Sequence, residues 1–263
     1  MDINPITMRF KCIFITALIC ALISGCASEG SQTEIYPIQD NPAPRLMART
    51  LFADVPDSLF EALGLNDGIP SSVCAFLVRA EGRQILFDAA NGADDSRLMP
   101  VLDSLGTAPE DIDYVFITHL HGDHTGGLLK DDAAAFPNAV IYINKIEYDS
   151  WIAMDGSGRL KRIADAYDGR IVTFMPEDSL PCGVKALAAY GHTPGHTIYL
   201  LDDILIAGDI MHGVALQKEH PEFCARFDMD SEAAVNSRRA VLQMASEENL
   251  KVYGMHFPAP YHL

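Results

Sequence analysis

Short apolar runs, each closed by glycine, proline or a small polar residue, recur along the body of the chain and set its predicted secondary structure. Residues 72–79 (SVCAFLVR) and 84–88 (QILFD) flank Ala80-Glu81-Gly82-Arg83 and predict a β-hairpin. Runs at 113–118, 139–143, 171–175, 184–190, 197–201, 204–208 and 250–254 predict further strands. Between some of them the period changes. Leu98, Val101, Leu102 and Leu105 fall at helical spacing within 95–105, as do Leu160, Ile163, Ala164 and Tyr167 within 158–167. A longer helix is predicted over 231–246, N-capped by Asp230, with Ala234, Val235, Val241, Leu242 and Ala245 as its buried stripe. Many short strands with helices among them point to two sheets packed face to face with helices outside, rather than to a doubly wound parallel sheet.

The N-terminus follows a different pattern. Arg9 and Lys11 precede an apolar run from Cys12 to Ile23, shorter than the ~20 residues of a membrane span but suited to the core of a secretory signal. It ends in Ile23-Ser24-Gly25-Cys26, which resembles the lipobox of exported bacterial lipoproteins. Residues 1–25 then form the signal peptide, and Cys26 carries the lipid that anchors the protein at a periplasmic or cell-surface membrane face. An ordinary signal peptide cleaved near Ala27 and an uncleaved anchor are the alternatives. From Ala27 to Arg45 the sequence is polar and punctuated by prolines, which predicts a tether over 26–50 and a single domain over 51–263.

Composition narrows the partners. With 49% hydrophobic residues the chain can bury a sizeable core, and Lys+Arg 19 against Asp+Glu 36 leaves a net charge of −17. Such a chain repels phosphate backbones, so nucleic acid is not an expected partner and a small-molecule substrate is. The oligomeric state is left open. Outside the export segment only Cys74, Cys182 and Cys224 remain, an odd number at spacings that match no cysteine metal motif.

The 9 histidines carry most of the chemistry. Residues 118–127 read THLHGDHTGG, placing His119, His121, Asp123 and His124 directly after a predicted strand. Alternate residues leaving a strand face the same way, so His119 and His121 can present two imidazoles to one ion. Gly122 would turn the chain and free Asp123 and His124 for a second ion, with Thr125-Gly126-Gly127 opening a helix. His192 in GHTPGH, Asp209 in AGD and His256 in GMHFP each follow another strand-like run. Imidazole and carboxylate suit Zn²⁺ and similar ions.

HLHGDH at 119–124, GHTPGH at 191–196, Gly208-Asp209 and His256 in HFPAP resemble, in order, the motifs of the metallo-β-lactamase-fold hydrolases. The stretch from Gly208 to Ala245 followed by HFPAP resembles the branch of N-acyl-homoserine-lactone lactonases and methyl-parathion hydrolases. The resemblance implies an αβ/βα four-layer sandwich and two divalent metal ions, zinc first, with manganese, cobalt or iron as alternatives. It assigns His119, His121 and His192 to one ion, Asp123, His124 and His256 to the other, and Asp209 to both. His196 is then a packing or hydrogen-bonding residue, and Asp88 orients a ligand. The family often has Asp-Thr-Gly where this chain has Asp88-Ala89-Ala90, and the end at Leu263, soon after His256, predicts a C-terminal edge that is shortened or differently covered.

Two ions sharing Asp209 would generate a bridging hydroxide at neutral pH, which implies hydrolysis of an ester, lactone or phosphotriester. Asp123 is expected to help orient that nucleophile. His212, where the lactonases can carry a tyrosine, is a candidate proton donor, with a packing role as the alternative. The β-lactamases of the fold lack the bridging aspartate, its nucleases act on polyanions, and its flavin di-iron enzymes show His-x-Glu in place of His119-Leu120-His121. An iron-dependent persulfide dioxygenase and a non-catalytic metal-binding lipoprotein remain as alternatives. Leu51, Phe52, Leu59, Phe60 and Leu63 form either a flap over the metals or a helix packed on the core.

Overall fold

The computed structural model describes residues 33–154 and 156–263, so the expected signal segment 1–25 and the expected lipidation site Cys26 lie outside the described residues. Strand β1 (Glu34–Gln39) and the short β2 (Arg45–Met47) precede helix α1 (Asp57–Ala62), β3 (Ile69–Ser71) and the hairpin of β4 (Cys74–Ala80) and β5 (Arg83–Phe87). Next come α2 (Leu98–Ser104), β6 (Tyr114–Ile117), the one-turn α3 (Gly122–Thr125) and a small ribbon of β7 (Leu129–Lys130) and β8 (Ala133–Ala134). After these come β9 (Val140–Asn144), α4 (Lys145–Met154), α5 (Arg159–Ala166) and β10 (Ile171–Phe174). The remainder holds β11 (Lys185–Ala188), β12 (Thr197–Leu201), β13 (Ile204–Ile206), α6 (Val214–Gln217), α7 (Ser231–Glu248) and β14 (Lys251–Tyr253).

A six-stranded sheet in the order β1-β4-β5-β6-β9-β10 faces a four-stranded sheet in the order β11-β12-β13-β14. Alternation along the central strands explains the stacking. Ala75 and Leu77 of β4, with Val115 and Ile117 of β6, pack under Leu98 and Leu102 of α2 and Leu160 and Ile163 of α5. Their neighbours Phe76, Val78 and Phe116 face the other way, onto Tyr199 and Ile206 of the second sheet. The outer side of that sheet packs Leu205 and Val252 against Val241 and Ala245 of α7, whose N-cap Asp230 accepts the Ala233 N–H. The result is the expected four-layer αβ/βα sandwich.

One expectation changes and two alternatives are resolved. Residues 34–39, read as tether, form the edge strand β1, antiparallel to β4, so the domain begins well before residue 51. Pro37 is tolerated there because an edge strand can spare one N–H. Of the two readings of the segment around α1, packing on the core holds rather than a flap, because Phe52 and Phe60 are buried with Met47, Ile69 and Leu216 in a satellite core. At the C-terminus Tyr253 bridges His262 and the Leu263 N–H donates to Val252 O, so the last residues cover the edge of β14.

Candidate metal centre

β5, β6 and β9 run parallel, and so do β13 and β14, so loops leaving their C-terminal ends gather at one end of each sheet. Asp88 follows β5, His119 to His124 follow β6, His192 and His196 follow β11, Asp209 and His212 follow β13, and His256 follows β14. Gly122 does not make a sharp turn; it opens α3 itself, and its missing side chain leaves room for the Arg159 guanidinium, which a Cβ would meet at 2.5 Å. The helix therefore starts at Gly122, before the expected Thr125.

The structure brings all seven predicted ligands together. His119 Nε2, His121 Nδ1 and His192 Nε2 lie 2.9, 3.1 and 3.0 Å from one another. Asp123, His124 and His256 form a second group, with His256 Nε2 at 3.6 Å from Asp123. Asp209 sits between the two. Its Oδ1 is 3.1 Å from His124 Nε2, and its Oδ2 is 3.4 Å from His192, 3.8 Å from His119 and 3.1 Å from His256.

The outer partners decide which nitrogen faces inward. Asp88 holds His124 Nδ1 at 2.8 Å, Asp228 holds His192 Nδ1 at 3.0 Å, and the Ser72 carbonyl holds His256 Nδ1 at 2.8 Å. The Thr118 hydroxyl donates to Asp88 and lies 3.1 Å from His119 Nδ1. Each of these contacts leaves Nε2 toward the cluster, the arrangement that fixes a metal-binding tautomer. His196 instead accepts the Asp209 N–H at Nε2 with its Nδ1 against the Ala189 carbonyl, so it braces the backbone of Asp209.

These groups fit a pair of divalent ions. Three nitrogens about 3 Å apart approach the ~3.4 Å spacing of donors on a tetrahedral ion with bonds of about 2.1 Å. His124 Nε2 and Asp209 Oδ1 are buried, adjacent, and without a hydrogen-bond partner among the described residues, which is costly unless a cation lies between them. Burial holds the His119 pKa well below the usual imidazole value and that of His121 at about 3, so both stay neutral and offer lone pairs. Burial works against ionisation of Asp209, but His256 and His124 outweigh it and keep the carboxyl well below its usual range.

Over these residues opens a cavity of about 260 Å³, lined by Arg45, Met47, His121, Gly122, Asp123, Asp209, His212, Phe227 and His256. His212 stacks on His256 with ring centroids 5.2 Å apart, and its Nε2 is 3.3 Å from Asp209. Neither ring nitrogen makes a hydrogen bond among the described residues. Sequence reasoning missed three buried supports: Glu147 on α4, Asp228 beside His192, and Arg238 on α7, which donates to Asp228 at 3.1 Å.

The profile of the Metallo-beta-lactamase superfamily matches residues 68–256. An N-acyl homoserine lactonase of Bacillus sp is 29% identical over 170 residues, covering 62% of this chain and 63% of that protein, so less than two thirds of the relative is matched. Among solved structures, the hydrolase AbOPH of the beta lactamase superfamily superposes with a TM-score of 0.79 at 26% identity over 89% of this chain and 90% of its own. AidC, a dizinc quorum-quenching lactonase solved with a product, shares the fold with a TM-score of 0.78 at 23% identity over 89% and 90% of the two chains.

Proposed function

The chain belongs to the metallo-beta-lactamase superfamily, and we propose that it is a dinuclear-metal hydrolase acting on an ester, lactone or phosphotriester bond of a small molecule. One observation carries the reading: two ligand groups share a buried carboxylate, Asp209, beneath a cavity of small-molecule size. His119, His121, His192 and Asp209 would hold one ion and Asp123, His124, His256 and Asp209 the other. Ions held there lower the pKa of water from ~15.7 toward ~7 and polarise a carbonyl or phosphoryl oxygen, so no serine or cysteine nucleophile is needed.

The chain's own groups do the rest. Asp123 lines the cavity, and although burial raises its pKa, His124 and His256 together with a backbone hydrogen bond outweigh that and keep it a carboxylate able to accept a hydrogen bond from the attacking water. Met47 and Phe227 offer an apolar wall to the rest of the substrate, with Arg45 beside them. The lactonase relative puts a lactone first among the candidates. A hydrolysis panel on zinc-reconstituted protein, spanning acyl-homoserine lactones, aryl esters, phosphotriesters and β-lactams, should show turnover on one of the first three classes without oxygen uptake. Turnover of none of them, or oxygen consumption with a persulfide on iron-loaded protein, would overturn the reading.

His212 is the proton donor in this proposal. Burial lowers its pKa, so it presents a neutral ring whose N–H is not committed to the scaffold and can hydrogen-bond a substrate carbonyl or a departing alkoxide. His212→Ala should retain the metals and lower kcat by ~10²-fold for an alkyl ester, with much less effect on a nitrophenyl ester, whose leaving group needs no proton. Equal losses on both esters, or no loss, would return His212 to a packing role.

A further inference from the structure

Glu147 stands in the first turn of α4, wholly buried, on neither of the loops it contacts. Its Oε1 accepts the Leu120 backbone N–H at 2.9 Å. Its Oε2 accepts the Thr193 hydroxyl and the Gly195 N–H, both at 2.8 Å. Leu120 separates His119 from His121, and Thr193 follows His192, so one carboxylate clamps the two loops that supply the three-histidine group. The second loop seats tightly. A Cβ on Gly195 would stand 2.2 Å from Glu147 N, so glycine is required for this approach. The same helix places Trp151 edge-on against the His121 ring at 5.4 Å. A different carboxylate, Asp88, holds His124 of the other ligand group directly.

We propose that Glu147 is a positioning residue for the three-histidine site: it sets the separation of the His119–His121 loop from the His192 loop and so governs the affinity for one of the two ions. The proposal rests on the dinuclear reading above. Its physical basis is that three donors converge on two oxygens that only accept. Glutamine in place of Glu147 would turn an NH₂ group toward the N–H of either Leu120 or Gly195. A hydroxyl can rotate away from a new donor but an amide N–H cannot, so one loop loses its tie and leaves a buried donor unpaired.

The test is zinc titration of metal-stripped protein against a chromophoric chelator. Wild type should take two ions, and Glu147→Gln should weaken one binding step by about 10–100-fold, the range for partners that orient a ligand. In a His256→Ala background, which retains the three-histidine group, Glu147→Gln should weaken the remaining step. In a His121→Ala background it should change nothing. Equal weakening of both steps, or none, overturns the proposal, because a general scaffold role cannot choose between ions. If Glu147→Gln fails to fold by circular dichroism, Thr193→Val takes its place: it deletes one donor, leaves both amide bonds, and should weaken the same step by less. No loss in that variant also overturns the proposal. Wild type holding fewer than two ions would bring down the dinuclear reading itself, whereas two ions in wild type and unaltered affinity in Glu147→Gln would bring down only the role of Glu147.

Discussion

Asp209→Ala will cost the protein both metal ions, whereas His256→Ala will cost it mainly one. The difference follows from where the carboxylate sits. One oxygen of Asp209 is 3.1 Å from His124, the other is 3.4 Å from His192 and 3.1 Å from His256, and the side chain is buried. Removing it takes away the carboxylate that lies among all five of these imidazoles and touches both ligand groups. Elemental analysis after zinc reconstitution should give about two ions per chain for wild type, about one for His256→Ala and close to none for Asp209→Ala. Hydrolytic activity of Asp209→Ala should fall by more than the ~10–100-fold typical of losing an outer partner of a metal ligand. Two ions retained by Asp209→Ala would mean that the two groups bind independently and that the carboxylate bridges nothing.

The clustering of these His and Asp residues was legible in the sequence because most of them stand just after an apolar strand, where backbone direction and side-chain alternation are both fixed. The supports were hidden because a buried charge leaves no mark in composition. Glu147 lies in KIEYDSW, where Lys145, Glu147 and Asp149 look like a solvated helix face; only its i,i+4 spacing to Trp151 hinted that it points inward. Arg238 offered a clearer signal. It falls on the stripe Ala234, Arg238, Val241, Ala245, whose residues are all buried, so the register of α7 already placed a charge in the core. The edge strand β1 was missed for another reason: Pro37 and the neighbouring polar residues mask an alternation that only pairing with β4 makes stable.

That misplaced charge leads to the second large effect, for Arg238→Met should destabilise the metal-free protein by about 3–5 kcal/mol, the range for breaking a buried ion pair. The Arg238 guanidinium and the Asp228 carboxylate are almost wholly buried and 3.1 Å apart. Arg238 also donates to the carbonyls of Ile210, Pro221 and Phe223 at 2.7, 2.7 and 3.0 Å, tying the segment that carries His212 to α7. Burial pushes the Asp228 pKa up, but the hydrogen bond from His192 and the neighbouring imidazole and guanidinium groups outweigh it and hold the carboxyl below the usual carboxylate value. The stability this group lends is therefore present above that value and is lost as pH falls through the lower folded one. Without the guanidinium the folded pKa rises, so the deficit of Arg238→Met should be full at neutral pH and narrow as the solution is acidified, where Asp228 is protonated folded or unfolded. Urea unfolding of chelator-treated protein across pH would read this directly. Asp228→Asn combined with Arg238→Met should cost less than the two single changes summed, because the amide no longer strands a buried charge. A cost below about 1 kcal/mol for Arg238→Met, as for an exposed pair, would mean that His192 is oriented by Asp228 alone and that α7 only packs against the site.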